Sequence, residues 1–100
     1  MAKRVKVLSG KQIDQGLKAL SEWMLNKKKT ELTKTFAFPS FITALAFVAK
    51  ITVHAEILDH HPVIELSYGK VKVKLTTTEV RGITKIDFEL AERIDKMRLN

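Results

Sequence analysis

The chain of 100 residues has no cysteine, only two prolines and four glycines, and a single tryptophan and tyrosine. Without cysteine, disulfide bonds and thiolate-ligated zinc sites are excluded. We therefore expect a protein of a reducing compartment, with a cytoplasmic location. The basic segment at residues 1–6 is followed by no apolar run, so no signal peptide is predicted. No linker, repeat or low-complexity segment stands out.

Long hydrophobic runs are also scarce. The most apolar stretch, residues 36–58, is interrupted by Lys50, His54 and Glu56. This makes it a poor transmembrane candidate, and we expect no membrane partner. A length of 100 residues, with 45% hydrophobic and 29% charged residues, predicts one domain spanning residues 1–100 with a core of its own.

Negative charge is in the minority: 11 acidic residues stand against 18 basic ones, a formal charge of +7. Such a balance favours anionic partners in general. The lysines cluster in the N-terminal segment, at residues 27–29, and at Lys70, Lys72 and Lys74. No aromatic side chains are interleaved with them, so platforms for base stacking are missing. The pattern indicates a solvated basic surface, and specific nucleic-acid binding is not predicted.

The first half of the chain alternates between helix and strand signals. Ser9 followed by Gln12 is a capping-box pattern that opens a helix. Apolar residues at helical spacing then mark its buried face at Ile13, Leu17 and Leu20. Alternating apolar residues predict strands over residues 23–25 and 32–38, joined by a polar turn over residues 26–30.

A central helix is predicted to open after Ser40 and to run to Leu58. Lys50 is the only full charge of this helix before residue 55. The helix should therefore be buried on more than one side, in the core or against another subunit. A last helix is predicted from Thr84. With a hairpin between these two helices, the order is α-β-β-α-β-β-α. We predict an α+β fold, an αβ-sandwich with a four-stranded antiparallel sheet and three helices on one face.

The hairpin between these helices allows a prediction of strand register. Gly69-Lys70 fits a two-residue type II′ turn, with glycine first. That turn would pair Leu66 with Val73, and would place Glu65 opposite Lys74 as an ion pair. Extended past the strand ends, the same register sets His61 across from Thr78.

Adjacent histidines begin this hairpin, and imidazole is the side chain whose ordinary pKa, about 6.5, suits acid–base chemistry near neutral pH. We expect His60, His61, Thr78 and Asp87 to converge at one end of the sheet. Glu56 lies one helical turn before His60 and is a further candidate.

Each of these residues also has an ordinary structural explanation. Histidines after a helix interact favourably with its dipole, and Pro62 ends the helix. Asp87 fits the third position of a helix that Thr84 caps. Metal binding is not predicted: adjacent side chains on an extended segment point to opposite faces, so His60 and His61 do not readily chelate one ion.

The same residues resemble the signature of the pterin-4a-carbinolamine dehydratase family. The signature's positions correspond here to Glu56, His60-His61-Pro62, Tyr68, Thr78 and Asp87. The resemblance extends over nearly the whole chain, from residues 8–23 through the central helix to the segment at residues 82–91.

This resemblance implies a 4a-hydroxytetrahydropterin dehydratase, which converts a pterin carbinolamine to quinonoid dihydropterin and water without a metal or other cofactor. It implies His61 as the main acid and base, His60 as its partner, and Asp87 as an orienting group or a pterin contact. Glu56, Pro62, Tyr68 and Thr78 would contribute to the substrate site. Family members form homodimers or homotetramers, by sheet extension and by packing of central helices.

Two positions depart from the family pattern. Thr78 stands where a third histidine or a tryptophan is usual, and threonine cannot exchange a proton near pH 7. Ile64 stands where an aromatic residue is common. Two hypotheses follow: a dehydratase that works with two histidines at reduced rate, or a non-catalytic binding or assembly protein on the same scaffold.

Overall fold

The computed structural model describes residues 6–98, so most of the basic N-terminal segment lies outside the described residues. The elements are α1 (Gly10–Lys18), β1 (Met24–Leu25), β2 (Leu32–Ala37), α2 (Phe41–Leu58), β3 (Val63–Ser67), β4 (Lys70–Leu75) and α3 (Lys85–Arg98), with a short 3₁₀ turn at Thr78–Val80. The predicted α-β-β-α-β-β-α order is confirmed.

Local side-chain chemistry sets where the first two helices begin. Ser9 caps α1, and its hydroxyl accepts a hydrogen bond from the Gln12 N–H while the Gln12 side chain accepts one from the Ser9 N–H. Ser40 and Thr43 form the equivalent reciprocal pair at the start of α2. Both boxes satisfy backbone donors that the first helical turn leaves without partners.

The four strands form one antiparallel sheet in the order β1-β2-β4-β3. Alternate residues of β2 and β4 are buried on the face that the helices cover, which gives one core between sheet and helices. The core residues without accessible side-chain surface include Leu32, Ile51, Val71, Val73, Leu75, Leu90 and Ile94. The αβ-sandwich predicted from the sequence is therefore confirmed.

The predicted hairpin register is wrong by two residues. Leu66 pairs with Val71 and Val63 with Lys74. The turn is Tyr68-Gly69, and Gly69 has φ 78°, which suits glycine as the second central residue of a type II turn. Because side chains alternate with a period of two, the shift leaves the buried face unchanged. The Glu65–Lys74 ion pair still forms, diagonally, at 3.1 Å.

α2 buries only one side against the sheet, through Ala44, Phe47, Ile51 and Ala55. Its opposite side, which we call the α2 outer face, carries the exposed apolar residues Ile42, Leu45, Val53 and Ile57. By length and composition alone α2 could cross a membrane, but core helices of globular proteins pass the same test.

One lysine lies on the inner side of the sheet. Lys34 donates to Asp95 Oδ1 at 2.9 Å and to the Ser21 carbonyl at 2.7 Å. The same carboxylate accepts from Trp23 Nε1 at 3.0 Å. Asp95 therefore ties β2, α3 and the segment before β1 together at the end of the core.

Candidate active site

The chain reverses direction where α2 ends. Asp59 is the C-cap residue and adopts the left-handed conformation (φ 50°, ψ 46°), which aspartate tolerates better than most residues. The His60 N–H then bonds to the Ala55 carbonyl at 2.9 Å. After this turn the adjacent histidines separate, since His60 is buried and His61 is exposed.

The buried histidine is paired with the aspartate of α3. His60 Nε2 lies 2.6 Å from Asp87 Oδ1, and the Asp87 side chain has no accessible surface. Asp87 Oδ2 accepts the Thr84 N–H at 2.9 Å and the Thr77 hydroxyl at 2.6 Å. Because this carboxylate already accepts two hydrogen bonds, we assign the proton of this His60–Asp87 contact to Nε2, which makes Nδ1 an acceptor in the neutral ring.

Asp87 therefore fulfils both of the roles considered from the sequence. It is the carboxylate of the first turn of α3, bonded to the N–H of the preceding Thr84, as a capping box requires. It also fixes the orientation of His60. Its complete burial and three hydrogen bonds leave no oxygen surface facing solvent.

The exposed histidine has a different carboxylate partner. His61 Nε2 lies 2.5 Å from Glu56 Oε2, on the last turn of α2. Both side chains are largely accessible, 59% for His61 and 69% for Glu56. The site thus contains two His–carboxylate pairs, one buried and one open to water.

Both histidines border one cavity of about 210 Å³. Its lining residues are Asp59, His60, His61, Val63, Lys74, Thr76, Thr78 and Glu79. A cavity of this size with convergent polar groups suits part of a small polar molecule.

Thr78 lines this cavity, but the predicted strand pairing does not place it there. With the observed register, continuing the ladder would set His61 opposite Thr76. Thr78 opens the 3₁₀ turn instead, where its hydroxyl lies 3.4 Å from Glu79 Oε1. Thr78 and the histidines therefore line one cavity, but they are not cross-strand partners.

Four residues of the predicted set do not line this cavity. Glu56 and Asp87 contact its two histidines, whereas Tyr68 and Pro62 have no such contact. Tyr68 occupies the hairpin turn, is 78% exposed, and stands at the far end of β3, about 17 Å along the strand from Val63. Pro62 connects His61 to β3 and does not line the cavity. A contact from Tyr68 to a molecule in the cavity of its own chain is not supported by this placement.

Several residues of the site were not foreseen, and two of them, Thr77 and Lys74, have carboxylate partners in the structure. The Thr77 hydroxyl donates a hydrogen bond to Asp87 from the inner face of the sheet. The alternation of side chains along β4, continued past Leu75, places Thr77 on that face. Lys74 lines the cavity, although the sequence suggested only a solvent-facing strand. The hydrogen bond from Lys74 to Glu65 raises the pKa of Lys74 and lowers the pKa of Glu65.

The third histidine lies elsewhere. His54 Nδ1 is 3.4 Å from Arg93 Nη1, on the side of α2 that meets α3.

Within residues 6–98, no group of three His, Cys, Asp or Glu side chains is arranged to hold a metal ion.

Fold and site together define a class: a small αβ-sandwich that places two carboxylate-paired histidines at one polar cavity. The family model described as pterin 4 alpha carbinolamine dehydratase matches residues 6–97. The chain belongs to the pterin-4a-carbinolamine dehydratase family.

Relatives and solved structures agree with this membership. A protein of Nostoc sp. (strain PCC 7120 / SAG 25.82 / UTEX 2576), provisionally named a pterin-4-alpha-carbinolamine dehydratase, is 43% identical over 91% of this chain and 96% of its own. A similarly named protein of Metallosphaera sedula is 38% identical over 90% of this chain and 92% of its own.

The crystal structure of a transcriptional coactivator/pterin dehydratase from Brucella melitensis superposes with a TM-score of 0.87 at 32% identity, over 91% of this chain and 97% of that one. A pterin dehydratase-like protein, identified as a RuBisCO assembly factor in the alpha-carboxysome, superposes with a TM-score of 0.65 at 25% identity, over 76% of this chain and 88% of that one.

Proposed function

We propose that the protein is a 4a-hydroxytetrahydropterin dehydratase that uses histidine acid–base catalysis. The observation that carries this proposal is the pair of His–carboxylate contacts, His60–Asp87 and His61–Glu56, at one cavity. Family membership supplies the reaction: loss of the 4a hydroxyl as water, with formation of quinonoid dihydropterin.

His61 is the acid and the base of this reaction. The bond from C4a to the hydroxyl oxygen breaks with its electron pair on the oxygen, and protonated His61 supplies the hydrogen that completes water. The lone pair of ring nitrogen N5 forms the C4a=N5 double bond. N5 then loses its hydrogen to the imidazole and keeps the N–H bonding pair as its lone pair, so His61 returns to its starting form. Glu56 orients the ring through the contact of its Oε2 with His61 Nε2.

His60 has the supporting role. Its Nε2–H is held by Asp87, so Nδ1 is the ring atom available to accept a hydrogen bond from the pterin. Asp87 acts as the orienting group through this contact, and its burial argues against a direct pterin contact. Thr78 contributes a hydroxyl at the cavity and no exchangeable proton.

Stopped-flow measurement of carbinolamine loss tests this proposal. We expect the protein to accelerate the loss above the spontaneous rate. His61→Ala should remove most of the acceleration, about 100-fold, as is typical of a general acid–base group. His54→Ala is the matched control, because His54 contacts Arg93 and not the cavity. A rate equal to the spontaneous one with micromolar folded protein would reject the enzymatic function.

We also propose that the protein forms a homo-oligomer through the α2 outer face. Ile42 and Val53 are 72% and 58% exposed on the same side of one helix, and Ile57 is 63% exposed one turn beyond. Contiguous exposed apolar side chains of this kind mark interaction surfaces. Packing of central helices between copies, as the family resemblance implies, would cover them.

A second candidate function is a non-catalytic binding or assembly protein on the same scaffold. Thr78 at the cavity favours it, and the RuBisCO assembly factor described above has a similar fold. Calorimetry with a dihydropterin separates the two functions. The enzyme should bind the pterin at the cavity, whereas an assembly protein should show no pterin binding and should retain a stable protein partner in a pull-down.

A further inference from the structure

We propose that Lys74 is a substrate-contacting residue of this cavity, whose ammonium group donates a hydrogen bond to the departing hydroxyl oxygen. This inference rests on the proposed dehydratase function. Lys74 stands on β4 opposite Val63, the first residue after the His-His-Pro segment, and lines the same cavity as His61 and Thr78. Among the residues between positions 6 and 98 that line this cavity, it is the only lysine or arginine.

Glu65 holds the ammonium group of this lysine in place. Lys74 Nζ lies 3.1 Å from Glu65 Oε2, and this hydrogen bond raises the pKa of the lysine. An ammonium group has three N–H donors. One donor is used by Glu65, so two are left for a molecule in the cavity, where the Lys74 side chain is 30% exposed.

The chemistry of the leaving group calls for a cation at this point. As the C4a–O bond breaks, negative charge grows on the oxygen until it receives the proton from His61. A fixed ammonium donor stabilises that charge more in the transition state than in the bound substrate. Lys74 keeps all of its own hydrogens, so the proton balance of the reaction is unchanged. The two carboxylates on the cavity wall, Asp59 and Glu79, cannot supply this stabilisation.

This assignment also bears on the departure at Thr78. A threonine there provides neither charge nor an exchangeable proton, and the resemblance predicts a histidine or tryptophan at that position. Lys74 supplies positive charge to the same cavity from β4, the strand that precedes Thr78. The site would then combine one proton carrier, His61, with one permanent cation, Lys74.

The test compares Lys74→Met, Lys74→Arg and Lys72→Met in the full chain. Lys72 is the next residue on the same face of β4, does not line the cavity, and carries the same charge. The stopped-flow assay is run across pH, with kcat and KM determined separately. We expect Lys74→Met to lower kcat about tenfold with KM nearly unchanged, since the contact forms with charge that develops in the transition state. Lys74→Arg should restore most of the rate.

Several outcomes would overturn the inference. If the unmodified protein accelerates the reaction and the Lys74→Met and Lys72→Met variants have the same kcat, Lys74 is not a catalytic contact. The dehydratase function would still stand. A rise in KM with kcat unchanged would mean that Lys74 only attracts the substrate. If the unmodified protein gives the spontaneous rate, the dehydratase function fails and this inference fails with it. Should Lys74→Met not fold, Lys74→Gln gives the same comparison.

Discussion

His60 Nε2 and Asp87 Oδ1 lie 2.6 Å apart, although 27 positions separate the two residues in the chain. The contact joins the end of α2 to the first turn of α3 across the core. The same carboxylate accepts hydrogen bonds from Thr77 and Thr84, so one side chain connects the sheet, a helix start and the candidate active site.

Asp87→Asn should therefore impair both stability and activity. An asparagine has one acceptor oxygen for three donors, which leaves buried donors without partners, and we expect a loss of about 2–3 kcal/mol in the free energy of unfolding. Urea unfolding measures it. Asp14→Asn is the control: its exposed ion pair with Lys29 at 3.4 Å is worth less than about 1 kcal/mol. Equal losses for the two variants would contradict a special role for Asp87.

Thr78→His should raise turnover. The new imidazole would face the cavity and supply a second group that exchanges protons near pH 7, so we expect a several-fold increase, up to about tenfold. The stopped-flow assay measures it, and Thr35→His, on the exposed face of β2, is the control. A folded Thr78→His variant with lower turnover would show that position 78 needs threonine.

Asp95→Ala should destabilise the fold more than an ordinary surface change. Removing the carboxylate leaves Lys34, only 12% exposed, without its ion-pair partner, and it leaves the Trp23 N–H without an acceptor. We expect a loss of roughly 2 kcal/mol, less than for a fully buried pair because Asp95 is partly accessible. Thermal unfolding followed by Trp23 fluorescence measures it.

The control for that variant is Glu89→Ala, which breaks the Arg93–Glu89 pair on the surface of α3. Such i,i+4 pairs contribute about 0.3–0.5 kcal/mol. If the two variants unfold at the same temperature, the Trp23–Asp95–Lys34 network does not stabilise the protein.

Val53→Glu should break self-association. A carboxylate in the middle of the α2 outer face would be buried without a partner when two helices pack together, so the assembly should dissociate. Light scattering coupled to size exclusion, over a range of concentrations, measures the mass. Met24→Glu changes an equally apolar residue, 73% exposed on β1, and should leave the mass unchanged. A monomeric unmodified protein would disprove the proposed assembly.

The fold was predictable because several local signals agree. Ser9 with Gln12, the strand alternation, and the apolar spacing of α2 each point to the observed element order. The hairpin register was not predictable from the face pattern. Changing the partner of Leu66 from Val73 to Val71 keeps every apolar side chain on the same face. The register therefore depends only on which two residues form the turn. Gly69 does not settle this, because glycine is allowed at either central position of such turns.

The sequence predicted which residues form the candidate site better than it predicted which of them contact each other. Spacing singled out His60, His61 and Asp87, but the sequence does not reveal which histidine meets the aspartate. That depends on the left-handed turn at Asp59, and such a turn is usually marked by glycine or asparagine. Lys74 was missed because a lysine on an outer strand face is ordinary, and only the three-dimensional cavity shows what it faces.

The turn at Asp59 has a consequence for how the water formed in the proposed reaction would leave. It directs one imidazole into the protein and the next towards bulk water, where His61 is 59% exposed. Water formed beside that exposed ring can pass directly into solvent, so no internal channel is needed for its exit. Turnover should then be insensitive to substitutions in the core that leave His60 aligned.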